Sequence, residues 1–195
     1  MNHIELEKIK EKAIKEKIPI IMDDTLAVVK DLFLKKPLER ILEIGTAVGY
    51  SAICFSQYII ENGIIDTIEI EEERVVQAKE NILKAEINNK INIIHGDAVE
   101  VLPSLKEKYD VIFIDAAKGK YLIFLEHALR LVKNDGIIIA DNILYKGMVF
   151  SDYNKHKQRT AVTKLREYIR LVTENELLET QILEVGDGLA ISRYK

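Results

Sequence analysis

Two apolar runs in this chain each stop at an acidic residue, and this pairing is its strongest chemical signal. One run ends at Asp115, and the other ends at Asp141 followed by Asn142. Ligands in open α/β sheets bind outside the carboxyl ends of the strands, so side chains at two such ends are expected to share one rim. Two carboxylates and an amide carbonyl supply hard oxygens that suit Mg²⁺ or Ca²⁺ better than zinc. The pattern therefore predicts a divalent-metal site, with the amine of Lys118 on the same rim.

A simpler interpretation is that these three polar residues only cap helices or turn the chain. That interpretation would be preferred for a single strand end. In this chain a third strand end upstream is rich in glycine, which favours a shared site.

The third strand end lies in the segment ILEIGTAVGYSAI, where Gly45 and Gly49 bracket the predicted turn. Glycine permits positive φ and lets a ligand approach the backbone closely. The spacing differs from the dinucleotide fingerprint G-x-G-x-x-G. Glu43 would repel a pyrophosphate but would accept a ligand that carries a cationic amino-acid group.

Two further strand ends carry residues that suit a nucleoside. Glu69 ends a predicted strand, where an acid accepts hydrogen bonds from a ribose diol. Asp97 and Ala98 follow the next strand, where an adenine edge would lie. Each residue alone is more often a cap or a turn residue. Together with Glu43 they indicate S-adenosylmethionine rather than NAD.

The elements that must position these residues form five β/α steps followed by a hairpin. The predicted strands span residues 40–44, 66–70, 91–95, 109–114, 137–140, 180–185 and 189–194. The predicted helices span residues 4–17, 23–34, 50–60, 72–85, 119–132 and 160–175. Short continuous apolar strands are typical of a parallel sheet covered on both faces. We expect a single α/β domain over residues 1–195, with N-terminal helices in 1–35 and a long polar loop over 143–159.

Composition excludes several classes of protein. A hydrophobic fraction of 48% and a charged fraction of 31% are typical of a soluble globular domain. Cys54 is the single cysteine, which excludes an internal disulfide and a CxxC site. No apolar run approaches the ~20 residues that span a bilayer, and the N-terminus lacks a secretory pattern, so a cytoplasmic location is expected. The net charge is −4, but the stretch from residue 118 to 170 is basic and permits an anionic partner.

Seven segments, running in order from about residue 18 to 192, resemble one enzyme family. They are PIIMDD, LEIGTAVGYSA, TIEIEEE, GDA, YDVIFIDAAKGKY, IIIADNILYKGMV and GDGLAIS. The chain resembles class I S-adenosylmethionine-dependent methyltransferases. More narrowly, it is similar to the metal-dependent O-methyltransferases that include catechol and caffeoyl-coenzyme A O-methyltransferases. Within that group it looks most like the bacterial enzymes that methylate 5-hydroxyuridine at the tRNA wobble position to 5-methoxyuridine.

The resemblance implies a Rossmann-like seven-stranded sheet of order 3-2-1-4-5-7-6 with an antiparallel last strand. It also implies S-adenosylmethionine and Mg²⁺ as cofactors, and a homodimer. The implied cofactor-binding residues are Met22, Glu43, Gly45, Ser51, Glu69, Asp97, Ala98 and Asp115. The implied metal ligands are Asp115, Asp141 and Asn142, and the implied catalytic residues are Lys118 and Asp115.

The acceptor is expected to be a tRNA anticodon stem-loop, and the alternative is a small catechol or phenol. About eighteen residues precede PIIMDD, fewer than is usual in the family, which leaves a more open acceptor side. The candidate phosphate contacts are Lys120, Lys146, Lys155, Lys157, Arg159 and Arg166. The candidate stacking residues, which ordinary lid packing explains equally well, are Tyr145, Phe150 and Tyr153. A third hypothesis is a non-catalytic nucleotide-binding module, which would have no need of the Asp115, Lys118, Asp141 and Asn142 set.

Overall fold

The protein has an alternating α/β fold, and the computed structural model describes residues 3–151 and 159–195. The strands are β1 (Leu38–Ile44), β2 (Ile59–Glu69), β3 (Ile91–His95), β4 (Tyr109–Ile114), β5 (Val132–Ala140), β6 (Leu178–Leu183) and β7 (Leu189–Tyr194). The α-helices are α1 (His3–Lys15), α2 (Asp23–Phe33), α3 (Tyr50–Phe55), α4 (Glu72–Lys84), α5 (Ala98–Val101), α6 (Tyr121–Leu131) and α7 (Arg159–Glu174). Short 3₁₀ turns within these residues are η1 (Leu102–Ser104), η2 (Lys118–Lys120) and η3 (Met148–Phe150).

The seven strands follow the order β3-β2-β1-β4-β5-β7-β6, with helices on both sides. Neighbours β1 and β2, β2 and β3, and β4 and β5 run parallel. Strand β7 is antiparallel to β5 and to β6. The predicted fold class and strand order are therefore confirmed.

The contacts divide the chain into two compact units, Met1–Val101 and Leu102–Lys195. In the first unit, β1 to β3 pair in parallel register and Glu43 stands directly opposite Thr67. In the second unit, α7 packs against α6, β6, η2 and η3. Its buried side chains include Leu165 and Tyr168, both wholly inaccessible to solvent. These helix contacts hold the turn that contains Lys118.

The largest errors in the predicted element boundaries lie between α3 and β2 and at the start of β5, and the cause is strand pairing. The helix expected to run from 50 to 60 ends at Phe55, and β2 begins at Ile59 because that residue pairs with Leu38 before a register shift. Strand β5 begins at Val132 rather than at residue 137 because Val132 pairs with Tyr109 before a second shift. Apolar residues next to a glycine turn fit a helix or a strand equally well, so periodicity alone does not separate them.

Two expectations from composition concern Cys54 and membrane insertion. Cys54 is a free cysteine and is wholly buried, and burial raises the pKa of its thiol to about 11. Among residues 3–151 and 159–195, no helix is both long enough and apolar enough to cross a bilayer.

The β6–β7 hairpin fixes the segment that follows β5, and Gly188 makes this possible. Ile143 N donates to the carbonyl of Gly188, and Leu144 N donates to that of Asp187, each at 3.0 Å. Gly188 has φ +89°, and a Cβ at this position would collide with the Leu144 side chain. The backbone of the hairpin at Gly188 therefore packs directly against the side chain of Leu144, in the segment after β5.

Replacing Gly188 by alanine is expected to destabilise the fold by about 3 kcal/mol, because strain and overpacking add. Gly147→Ala is the matched control: Gly147 has φ +73° with no atom within 4 Å of a built Cβ. The control should therefore cost only the ~1–2 kcal/mol of a left-handed alanine. Urea denaturation measures both variants. Equal costs would show that Leu144 does not constrain Gly188.

Candidate active site

The ends of β4 and β5 bring the predicted polar residues together around one lysine. Asp141 N donates to the carbonyl of Ile114 at 3.0 Å, which joins the two strand ends. The Lys118 ammonium lies 3.0 Å from Asp115 Oδ1 and 3.0 Å from Asn142 Oδ1. Oxygens from the two strand ends therefore lie around the Lys118 ammonium.

Asp141 is the most deeply buried of the predicted polar residues in this cluster, at 1% exposed. Its Oδ1 accepts hydrogen bonds from Asn142 N at 2.6 Å and Asn142 Nδ2 at 3.2 Å. Asn142 has φ +55°, a left-handed conformation that asparagine tolerates better than most residues. Burial, and next the negative charge of Asp115, raise the pKa of the Asp141 carboxyl to about 7.

The cluster fits a divalent cation by the chemistry of its donors. No three His, Cys, Asp or Glu side chains converge on one point in the parts of the chain that the structure describes. The set instead contains two carboxylates and one amide oxygen, which are ligands that Mg²⁺ uses together with water. The negative charge of Asp115 raises the pKa of the Asp141 carboxyl. A bound cation would offset the repulsion between these two carboxylates.

Tyr121, at the start of α6, completes the cluster and was not predicted. Its hydroxyl is buried, donates to the Asp141 carbonyl at 2.7 Å and lies 3.3 Å from the Ile114 carbonyl. Lys118 Nζ donates to the same hydroxyl at 2.7 Å. The only available signal was its position three residues after Lys118, which looks like an ordinary core position of an apolar helix.

In the first unit, the glycine turn after β1 adopts the expected conformation. Gly45 and Gly49 have φ +104° and +80°. The N–H groups of Gly45 and Thr46 both donate to the Ile68 carbonyl, at 3.0 and 3.2 Å. A Cβ on Gly49 would lie 3.3 Å from Ala78 Cβ, so glycine allows α4 to approach the turn.

A buried polar chain lies below this turn. The Thr67 hydroxyl donates to Glu43 Oε2 at 2.6 Å, and its oxygen lies 2.6 Å from the Thr46 hydroxyl. A hydroxyl has one proton, so Thr46 must donate to Thr67 when Thr67 donates to Glu43. Glu43 is wholly buried, so it would act on a ligand at the turn through space and not by direct contact. Neither threonine was predicted, because Thr67 in β2 resembles any β-branched strand residue and Thr46 resembles an ordinary turn residue.

Glu69 links the three strand ends of the first unit. Its Oε2 accepts from Ala47 N at 2.8 Å, and its Oε1 accepts from Ile70 N and Glu71 N at 2.9 Å each. Its carbonyl accepts from Gly96 N at 2.8 Å. The predicted ribose-binding acid therefore also braces the glycine turn.

The remaining predicted cofactor residues lie at element ends. Asp97 Oδ1 accepts from Val99 N at 2.8 Å and caps α5, which begins at Ala98. Met22 precedes α2 and is 50% exposed, and Ser51 lies in α3. Met22 and Ser51 stay outside the hydrogen-bonded group of Glu43, Glu69 and the turn.

The basic residues proposed for phosphate contact differ in their exposure and in their hydrogen bonds. Lys120, Lys146 and Arg159 are exposed. Lys155, Lys157 and Tyr153 lie outside the described residues. Arg166 Nε donates to the carbonyl of Val149 at 2.8 Å, and its Nη2 donates to that of Ser151 at 2.7 Å. Arg166 therefore anchors the segment around η3, where Phe150 is 71% exposed.

Comparison with known proteins gives the family. The family model described as O-methyltransferase matches residues 37–195. This chain belongs to the O-methyltransferase family. A catechol O-methyltransferase of Niastella koreensis is 32% identical to this O-methyltransferase over 166 residues, which are 80% of this chain and 74% of the relative.

Solved structures agree with this assignment. A Staphylococcus aureus protein, provisionally named a caffeoyl-CoA O-methyltransferase, is 34% identical with a TM-score of 0.90, covering 97% of this O-methyltransferase and 92% of that chain. The O-methyltransferase of Bacillus cereus, solved in complex with SAH, is 25% identical with a TM-score of 0.89, covering 100% and 92%.

Proposed function

We propose that this O-methyltransferase uses S-adenosylmethionine and a divalent cation, Mg²⁺, to methylate 5-hydroxyuridine at the tRNA wobble position to 5-methoxyuridine. The observation that carries the chemistry is the convergence of Asp115 Oδ1 and Asn142 Oδ1 on one point, each 3.0 Å from Lys118 Nζ. The substrate has the 5-hydroxyl and the neighbouring O4, two adjacent oxygens that such a cation chelates.

The first unit binds the methyl donor. The glycine turn offers close backbone approach, and the buried charge of Glu43 favours a ligand with a positive centre. Glu69 accepts hydrogen bonds from the ribose hydroxyls, and Asp97 faces the adenine. The Bacillus cereus relative was solved in complex with SAH, which supports S-adenosylmethionine as the methyl donor.

The second unit binds and activates the acceptor. Asp115, Asp141 and Asn142 would hold the cation, which when bound lowers the pKa of the acceptor hydroxyl and orients it. Lys118 Nζ accepts the proton of that hydroxyl or stabilises the resulting anion. The acceptor oxygen then forms a bond to the methyl carbon as the methyl–sulfur bond breaks, and S-adenosylhomocysteine leaves with the electron pair on sulfur.

The cationic surface supports a nucleic-acid acceptor. Lys120 is the last residue of η2, the turn that contains Lys118, and Lys146 lies four residues after Asn142. Exposed lysine and arginine side chains bind phosphates without reading sequence. Phe150, exposed and flanked by carbonyls that Arg166 holds, offers a surface on which a splayed base would stack.

A second candidate function is the methylation of a small catechol or phenol. The name of the Niastella koreensis relative favours it. A catechol has the same pair of adjacent oxygens, so the same cation site would serve it.

The test is methylation of two acceptors by the purified protein with labelled S-adenosylmethionine. An anticodon stem-loop with 5-hydroxyuridine at the wobble position should be methylated with Mg²⁺ and not with excess chelator. The same stem-loop with uridine is the matched control. Rapid turnover of catechol without turnover of the stem-loop would favour the small-molecule function. Full activity in excess chelator would contradict the proposed role of the metal.

Charge removal at Lys120, Lys146 and Arg159 should weaken stem-loop binding and reduce its salt dependence. Each lost phosphate contact lowers the slope of log affinity against log salt by about 0.7 for single-stranded nucleic acid. Glutamine substitutions and fluorescence anisotropy at several salt concentrations measure this. Arg170→Gln is the control, because Arg170 pairs with Glu174 on the same helix at 2.8 Å. Unchanged affinity in the triple variant would contradict the proposed surface.

We propose in addition that the protein forms a homodimer and acts in the cytoplasm. The first proposal follows from the family resemblance, and the second from the tRNA acceptor. Analytical ultracentrifugation, in which a species of twice the chain mass is expected, checks the homodimer.

A further inference from the structure

The oxygens around the Lys118 ammonium are of two kinds: some belong to the proposed cation ligands and the others do not. Two of them, Asp115 Oδ1 and Asn142 Oδ1, belong to residues proposed to hold the cation. The Asp141 carbonyl is a long contact at 3.4 Å. The Tyr121 hydroxyl, at 2.7 Å, is the shortest of these contacts and is not a proposed ligand. Among the described residues, Tyr121 is therefore the close partner of the ammonium that would remain once those two ligand oxygens bind a cation.

Local geometry explains why Tyr121 is placed to do this. Side chains at i and i+3 of a 3₁₀ helix eclipse each other, and η2 runs from Lys118 to Lys120 directly before Tyr121. The Lys118 nitrogen lies 5.0 Å from the ring centroid but 2.7 Å from the hydroxyl. It therefore sits at the hydroxyl edge of the ring, and the hydrogen bond rather than the ring face holds it.

The Tyr121 ring is itself fixed. It is wholly buried and packs edge-on against Tyr168, with ring centroids 5.6 Å apart at 74°. Its hydroxyl donates to the Asp141 carbonyl at 2.7 Å, so the contacts run in one direction from Lys118 to Tyr121 to the end of β5. A lysine side chain carries about 2 kcal/mol of rotamer entropy. A rigid acceptor at its tip limits the positions that the amine explores.

We propose that Tyr121 is a positioning residue that holds Lys118 Nζ at the strand rim while the cation and the acceptor are bound. The inference rests on the proposed function, in which Lys118 takes the acceptor proton or stabilises the resulting anion. Misplacement of a reacting group by about 1 Å costs about 10²-fold in rate. Loss of the hydroxyl should therefore lower kcat and leave binding of the donor and of Mg²⁺ intact.

The structure supplies a matched pair of variants. Tyr121→Phe removes a hydroxyl that touches Lys118 and two carbonyls. Tyr168→Phe removes a buried hydroxyl that has no hydrogen-bond partner among the described residues. The two rings touch each other, so general damage to the core would affect both variants.

We expect Tyr121→Phe to lower kcat for the 5-hydroxyuridine stem-loop about tenfold to 100-fold. Its KM for S-adenosylmethionine and its calorimetric Mg²⁺ affinity should stay within about twofold of wild type. Tyr168→Phe should leave all three values unchanged. Equal kcat in Tyr121→Phe and wild type, or equal losses in both variants, would overturn the positioning role.

A second readout does not depend on turnover. In the protein with Mg²⁺, the ¹⁵N signal of the Lys118 ammonium, assigned by its loss in Lys118→Met, should be sharp in wild type and Tyr168→Phe. It should broaden or vanish in Tyr121→Phe. An unchanged signal there would refute the inference. A wild-type protein that shows the expected signals but methylates no acceptor would refute the proposed function instead.

Discussion

Asp141→Asn is expected to reduce kcat by about 10³-fold or more while leaving S-adenosylmethionine affinity unchanged. The loss is large because a bound cation contributes several kcal/mol of charge stabilisation, and the variant removes one of its two carboxylates. The asparagine oxygen still accepts the hydrogen bonds that Asn142 donates to Asp141 at 2.6 and 3.2 Å, so the turn is preserved. Calorimetry with MgCl₂ and with S-adenosylmethionine separates the two sites. Wild-type turnover in this variant would end the metal proposal.

The pH dependence of stability provides an independent check. Burial and the Asp115 charge raise the pKa of the folded-state Asp141 carboxyl to about 7, from its ordinary 3.8. Between those values the folded state binds more protons than the unfolded state, so this group lowers stability as pH rises, and the full penalty is present above pH 7. Without metal, Asp141→Asn should therefore melt several degrees above wild type at pH 8, and the difference should shrink to less than about half at pH 5. Equal melting temperatures at pH 8 would show that Asp141 is not a strained carboxylate.

Mg²⁺ should reverse this difference. A metal ligand must be deprotonated, so wild-type affinity should rise about tenfold per pH unit up to pH 7 and then level off. Bound Mg²⁺ should raise the melting temperature of wild type more than that of Asp141→Asn. An identical stabilisation of both proteins would place the ion elsewhere.

The sequence was sufficient to predict the fold wherever an apolar run had clear punctuation. Strands β3 and β4 match their predicted residues because polar residues or glycine adjoin both ends of each strand. The start of β2 was missed because Ile59 joins the sheet by pairing with Leu38, twenty-one positions earlier. Such a pairing leaves no trace in local periodicity.

In the candidate site, too, the residues with a visible sequence signal were predicted and the others were missed. Asp115, Asp141 and Asn142 were predicted because a strand end is visible in sequence, and the structure brings them to one lysine. Tyr121 was missed because its partners are backbone carbonyls of two strand ends, and a carbonyl has no sequence signature. Arg166 was grouped with phosphate-binding residues because its charge was visible, whereas its bonds to the Val149 and Ser151 carbonyls were not.

Lys118→Met is expected to separate cation binding from catalysis by moving them in opposite directions. The variant removes the group proposed to take the acceptor proton, and positioned bases contribute about 10²–10⁴-fold to rate. It also removes a positive charge that lies 3.0 Å from the oxygens of Asp115 and Asn142. A cation must compete with that ammonium, so Mg²⁺ affinity should rise about tenfold as kcat falls.

The opposite signs distinguish this prediction from simple damage to the site, which would weaken both properties. Lys118→Arg is the matched control, because it keeps the charge on a planar group of different shape. It should lose turnover without gaining Mg²⁺ affinity. If Lys118→Met bound Mg²⁺ more weakly than wild type, the ammonium and the cation would not compete for the same oxygens. The point at which Asp115 and Asn142 converge would then be a lysine site and not a metal site.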